Sequence, residues 1–283
     1  MNSATAANAD TVVGASRSDA VSLLIIEPTI IVAVADPLQL VRFYDDAYSK
    51  DPSQALLYAR WRALGAVGKA SHVLDLCARG GIQPSSTLEV GCGDGALLCE
   101  LYNRGFGGLL AGVEITQAAV SIARTRAQIE SVELYDGSHL EVADRTYDLA
   151  ILSHVLEHVP DPPALLAEVA RASRAVLIEV PLEENISAKR APKRDHAEEV
   201  GHLQRLSRSA ARQIVARAGL SILCEVEDPL PLEVHRFFAT GRRARAMATL
   251  KWAVRGSLHG LSPALARRLF TVHWACLCEP PAG

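Results

Sequence analysis

Between residues 86 and 180 short apolar runs alternate with longer amphipathic stretches. The apolar runs predict strands at 86–90, 109–114, 132–135, 147–152 and 174–180. Helical periodicity fills 95–103, 116–128 and 162–172. Thr116 suits an N-cap, and Pro162-Pro163 suits a helix start. A helix at 207–218, a strand at 220–226 and a last strand at 269–278 follow. This alternation implies an α/β fold with a doubly wound sheet and helices on both faces. Upstream, residues 1–20 lack any apolar period and are expected to be disordered. Residues 21–34 are expected as a strand or extended arm, so that 1–36 form an N-terminal arm. From Pro37 to Cys77 the pattern turns helical, with Tyr44, Tyr48, Tyr58 and Trp61 clustered there.

Ligands of doubly wound sheets sit at the carboxyl ends of the strands, where the strand order reverses. In this chain those ends carry chemistry. The first strand carries Glu89 and runs into Gly91-Cys92-Gly93-Asp94-Gly95, a turn that lets a ligand approach the backbone and opens a helix N-terminus. That is the pattern of a nucleotide pocket. The spacing Gly91-x-Gly93-x-x-Ala96 also fits a dinucleotide fingerprint. Glu89 argues against it, because a carboxylate there repels a pyrophosphate and attracts a cationic amino-acid end. Glu114 closes the second strand about twenty residues on, where an acid can take both ribose hydroxyls. Asp136-Gly137 follow the third strand, and Ser153-His154-Val155-Leu156-Glu157-His158 follow the fourth.

Composition narrows the setting. The chain has 283 residues, 49% of them hydrophobic, and a net charge of -3, which gives no general pull toward nucleic acid or anionic membrane. Six cysteines form no CxxC pair, and the expectation is buried thiols in a reducing cytosol. Cys276 and Cys278 would share one strand face. The apolar segment 21–35 is interrupted by Glu27-Pro28 and is too short to span a bilayer, so a cytoplasmic protein is expected.

The glycine turn, the strand-end acids and the Leu156-Glu157-His158-Val159-Pro160-Asp161-Pro162 stretch together resemble class I S-adenosylmethionine-dependent methyltransferases. The resemblance runs from about Tyr44 to Glu225. It implies a Rossmann-like, mostly parallel seven-stranded sheet over 81–283, an N-terminal helical lid over 37–80, and an antiparallel hairpin of strands six and seven. About forty residues, 228–268, intervene in that hairpin and are expected as a helical cap insertion. Its arginines suit a solvated cap or dimer surface, an acceptor-side lid over an anionic group, or a nucleic-acid or carrier-protein surface.

The resemblance also implies roles for individual residues. S-adenosylmethionine is the implied cofactor and S-adenosylhomocysteine its product. Glu89 would sit near the methionine amino group, with Gly91 and Gly93 allowing close passage and Gly95 the turn into the helix. Glu114 would hold the ribose, Ile115 would lie against the adenine, and Asp136 beside Gly137 would accept from the adenine amine. Ser153 would offer its carbonyl to the methionine end. Tyr44, Tyr48 and His158 are expected in the acceptor pocket.

His154 and His202 are the candidate bases. Positions 154, 157 and 158 would share one helical face, a spacing that suits a metal. Some relatives, among them polyprenyl-catechol and small-RNA-end methyltransferases, carry an acid where His154 stands. That departure leaves no metal expected, and Glu157 with His158 as a buried structural pair. The resulting expectation is methyl transfer to O or N of a small organic acceptor in bacterial secondary metabolism. The alternatives are metal-assisted methylation of a catechol-like or RNA-end hydroxyl, and a pericyclase-like catalyst that binds adenosylmethionine without transferring its methyl. Homodimerisation through the arm or the insertion is a further expectation; membrane and nucleic-acid partners are not.

Overall fold

The computed structural model describes residues 48, 52–191, 195 and 201–281. The N-terminal arm and Tyr44 lie outside the described residues. Helix α1 spans Pro52–Gly80 and precedes β1 (Ser86–Val90), α2 (Ala96–Asn103), β2 (Leu109–Glu114) and α3 (Gln117–Ala123). Next come β3 (Ser131–Leu134), β4 (Leu149–Ser153), a 3₁₀ turn at Leu156–His158, α4 (Pro162–Ala172) and β5 (Val176–Leu182). The remainder is α5 (Arg208–Arg217), β6 (Ser221–Asp228), α6 (Leu232–Arg236), α7 (Gly241–Leu261), α8 (Pro263–Leu269) and β7 (Val272–Glu279).

The seven strands form one sheet in the order β3-β2-β1-β4-β5-β7-β6. Strands β1 to β5 pair in parallel, while β7 runs antiparallel to both β5 and β6. Every residue of β4 and β5 is buried, as expected of strands covered on both faces. The period of two sorts their side chains. Ala150, Leu152, Ile178 and Val180 enter the core on one face, with Leu165, Leu166 and Val169 of α4. Leu149, Ile151 and Leu177 enter the other, with Ala66, Ala70, Val73 and Leu76 of α1 and Leu97, Leu98 and Leu101 of α2. The strand order reverses between β1 and β4, which opens a crevice beyond Val90 and Ser153.

Several elements depart from the periodicity, each for a local reason. Helix α3 stops at Ala123, because the chain turns so that Ile129 packs beside Gly95. Tyr147 makes only an isolated bridge to Ser173, so β4 starts at Leu149. Residues 263–269 are helical, with the Ser262 hydroxyl accepting the Leu265 N–H, so β7 begins at Val272. His154 does not join a helical turn: its φ is 61°, in the left-handed region, and the 3₁₀ turn begins only at Leu156. Helix α6 packs back on α1, with Trp61 5.1 Å from the rings of both Phe237 and Phe238. Among the described residues no helix is long and apolar enough to cross a membrane.

Candidate functional site

A cavity of about 1070 Å³ opens at the carboxyl edge of the sheet. Glu89, Gly91, Gly93, Glu114, Ile115, Asp136, Gly137 and Ser153 all line it, as do Tyr48, His154, His158 and His202. Gly95 does not; it faces Ile129 and Ala123 at the start of α2.

The turn after β1 leaves room that only glycine keeps open. Gly91 has φ 74°, and a Cβ there would lie 2.7 Å from Val155 Cγ2. Gly93 has φ 55°, and its Cβ would lie 2.5 Å from the Tyr48 hydroxyl oxygen. Tyr48 is held in turn by Arg62, whose guanidinium stacks 4.6 Å from the ring centroid and donates to Asp94 at 2.9 Å. Tyr48 is thereby fastened to the glycine turn.

The strand-end acids differ in their partners. Glu114 is buried and accepts three backbone N–H groups, from Gly93 at 2.9 Å, Ile115 at 2.8 Å and Thr116 at 3.2 Å. Burial pushes its carboxyl up, against the pull of those bonds. Glu89 is 4% exposed, and its Oε2 has no hydrogen-bond partner among the described residues. Burial pushes its carboxyl up to about 8, against the attraction of Lys69. Asp136 is exposed and accepts the N–H groups of His139 and Ser138, which hold its carboxyl below the usual range. The Ser153 hydroxyl is buried with no hydrogen-bond partner among the described residues.

The far end of the cavity is a network of imidazoles and carboxylates. Glu179 of β5, 1% exposed, has Oε2 3.1 Å from His72 Nδ1 and Oε1 3.3 Å from His273 Nδ1. His154 Nε2 lies 3.6 Å from the same Oε1 and 3.3 Å from His273 Nδ1. His72 bridges to Asp228, with Nε2 3.2 Å from Oδ2. Burial disfavours charge on His72, but its bonds to Asp228 and Glu179 prevail and raise it to about 10. Burial also opposes charge on Glu179, yet the three imidazoles hold its carboxyl well below the usual range.

Beside this network stands a second group. His154 Nδ1 is 3.2 Å from Glu157 Oε1, in ion-pair range without hydrogen-bond geometry, and both oxygens of that buried carboxylate lack a hydrogen-bond partner among the described residues. Burial opposes charge on Glu157, but His154 lowers it to about 2. Burial lowers His158 to about 4. His158 Nδ1 lies 3.0 Å from the Gly201 carbonyl, and His202 Nδ1 lies 2.7 Å from Glu183 Oε2.

The two candidate bases therefore differ in surroundings. Both ring nitrogens of His154 meet protein groups, whereas His202 has Glu183 on Nδ1 and the cavity beside it. His72, Glu179, Glu183, Asp228 and His273 escaped the sequence reading. Two had a signal: Glu179 is an acid inside an apolar strand, and Asp228 ends a strand as Glu114 does. His72 is one position of a long helix, and nothing local marks it.

The profile of a family described as Methyltransferase domain matches residues 58–225. A ubiquinone biosynthesis O-methyltransferase of Aliivibrio fischeri (strain MJ11) is 29% identical over 146 residues, 48% of this chain and 58% of its own length. One from Hydrogenovibrio crunogenus is 29% identical over 96 residues, 32% of this chain and 39% of its own. The chain thus spans less than two thirds of these curated relatives. Among solved structures, geranyl diphosphate C-methyltransferase from Streptomyces coelicolor A3(2), complexed with Mg²⁺, geranyl diphosphate and S-adenosyl-L-homocysteine, superposes with a TM-score of 0.59. It is 14% identical, over 87% of this chain and 98% of that one. A Haemonchus contortus N-methyltransferase, complexed with phosphomonomethylethanolamine and S-adenosylhomocysteine, gives 0.58 at 14% identity, over 86% of this chain and 61% of that one. At these identities the likeness is one of fold.

Proposed function

This chain belongs to the Methyltransferase domain family, and from that membership we propose that it transfers the methyl group of S-adenosylmethionine to a hydroxyl oxygen of a small organic acceptor. The observation that carries the cofactor assignment is Glu89: a buried carboxylate lining the cavity, with an oxygen unpartnered among the described residues, calls for a cationic ligand group. The ammonium of the methionine end is such a group. The left-handed glycines beside it fit a ligand that passes against the backbone, since a side chain at either would fill that space.

In this reading Glu89 holds the ammonium and Ser153 offers its carbonyl to the same end. Glu114 takes the ribose hydroxyls while still anchoring the turn through Gly93. Ile115 lies against the adenine, and Asp136 accepts from its amine beside Gly137. Bound S-adenosylmethionine supplies an electrophilic methyl on a sulfonium, so the protein's task is alignment and exclusion of water. Tyr48, Arg62 and α1 cover the glycine turn. His202 removes the acceptor proton: Glu183 fixes the proton-bearing Nδ1 and leaves Nε2 as the accepting atom. Tyr48 and His158 line the acceptor end, with Arg255 of α7 among the insertion's contributions to the cavity wall.

Oxygen is preferred over nitrogen because the curated relatives are named as O-methyltransferases. Those names concern ubiquinone biosynthesis and lend no support to the expectation of secondary metabolism. A second reading, metal-assisted methylation of a catechol-like hydroxyl, is supported by Glu157, His158 and His202. One ligand atom from each lies within 4.8 Å of the others, and the Glu157 oxygens lack hydrogen-bond partners among the described residues. Incubation with S-adenosylmethionine and a panel of phenols and catechols, with S-adenosylhomocysteine read by mass spectrometry, tests the proposal. Acceptor-dependent product is expected, and its absence across hydroxyl acceptors contradicts it. Loss on chelation, restored by a divalent ion, would favour the second reading.

A further inference from the structure

We propose that His154, Glu179 and His273 form a binding site for a divalent transition-metal ion of the zinc type, separate from the Glu157, His158 and His202 group and independent of methyl transfer. The three donor atoms, His154 Nε2, His273 Nδ1 and Glu179 Oε1, lie 3.3, 3.3 and 3.6 Å apart. Donors of a tetrahedral zinc site with bonds of ~2.1 Å stand about 3.4 Å apart. The circle through these three atoms has a radius of about 2.0 Å, so an ion ~2.1 Å from each would sit under ~1 Å from their plane. The spacing of the ligands needs no rearrangement.

The three donor atoms converge on one point, each pair at the long edge of hydrogen bonding or beyond. A dication between them would satisfy all three at once.

Outer contacts orient two of the three ligands, as they do in metal sites generally. Glu157 faces the far nitrogen of His154. His72 is 3.1 Å from the far oxygen of Glu179 and is itself held by Asp228 at 3.2 Å. His154 adopts φ 61°, a conformation that costs a non-glycine residue energy and is kept where surrounding structure demands it. That conformation brings the ring back toward β5 and β7. The ligands come from three separate places in the chain, the end of β4, the middle of β5 and the start of β7, so no sequence motif announces the site. Two imidazoles and one carboxylate suit zinc, iron, cobalt or nickel better than magnesium or calcium. All three residues line the cavity, and three protein ligands leave a coordination position for water.

Cobalt(II) is the probe, because its visible absorption reports coordination directly. The full chain carrying His202→Gln, which removes a ligand from the neighbouring group, is titrated with Co²⁺. It is compared with the same chain carrying His273→Gln in addition. One equivalent with a tetrahedral-type spectrum is expected in the first. In the second the affinity should fall more than ~10-fold, since even outer partners of a ligand are worth about 10–100-fold. Equal binding by both, or stoichiometric binding by neither, overturns the assignment. If His273→Gln fails to fold by circular dichroism, His154→Asn replaces it, because asparagine tolerates the left-handed backbone at 154. The same loss is expected there.

Discussion

Glu114 accepts the backbone N–H of Gly93 at 2.9 Å, so the acid that ends β2 also holds the turn that follows β1. Its other oxygen accepts from Ile115 and Thr116. Replacement by Ala should therefore do two things. S-adenosylmethionine affinity should fall by ~1–3 kcal/mol, the scale of charge-assisted hydrogen bonds. The ligand-free protein should also melt lower, because three N–H groups lose their acceptor. Titration calorimetry and differential scanning fluorimetry separate the two effects. Unchanged affinity would show that Glu114 serves the turn alone.

Gly93→Ala is expected to weaken cofactor binding through two independent costs. One is a left-handed backbone, about 1–2 kcal/mol for an L side chain. The other is the clash with the Tyr48 hydroxyl, 2.5 Å from the new methyl. Adding Tyr48→Ala should relieve the clash but not the backbone cost, so the double variant should melt above Gly93→Ala alone once the effect of Tyr48→Ala is subtracted. A strictly additive pair would remove the steric half of the argument.

Glu89 gives a pH signature. Burial pushes its carboxyl up to about 8, against roughly 4.3 for an unfolded chain. Between those values the folded protein holds a proton that the unfolded chain releases, so the Glu89 contribution to stability is greatest at low pH and declines as pH rises toward 8. A cationic ligand end favours the ionised carboxylate. Binding of S-adenosylmethionine at pH 7 should then expel a proton and tighten toward pH 8. Calorimetry in two buffers of different ionisation enthalpy reads the proton count. Release in the native protein and none in Glu89→Gln is expected; equal counts would detach Glu89 from the ligand.

His202→Ala should lower kcat about 10²–10⁴-fold with cofactor affinity preserved. Glu183→Gln should give a smaller loss in kcat, because it removes the group that orients the ring rather than the ring itself. If Glu183→Gln changes only KM for the acceptor, the pair positions substrate and the base assignment fails.

The strand ends were legible because an acid or small polar residue closing an apolar run is visible in one dimension. Glu89, Glu114, Asp136 and Ser153 reach one cavity through parallel register, which the βαβ alternation already implies. The network around Glu179 was not legible. Its members come from α1, the residue after β4, β5, β6 and β7, and only the antiparallel pairing of β7 with β5, Glu179 opposite Ala275, brings His273 within reach. His154 was misread for a local reason. The spacing to Glu157 and His158 fits a helical turn, but the chain leaves β4 through a left-handed residue and only then enters the 3₁₀ turn.

The most direct test of the cavity's identity is ligand-dependent melting with S-adenosylhomocysteine and NAD side by side. A ligand that fits the folded protein alone stabilises it by about 2.7 kcal/mol at a hundredfold excess over Kd. A rising Tm with S-adenosylhomocysteine and none with NAD is expected, because an ammonium can ionise the Glu89 carboxyl and pair with it, whereas a pyrophosphate cannot. A shift with NAD and none with S-adenosylhomocysteine would contradict the assignment at its root.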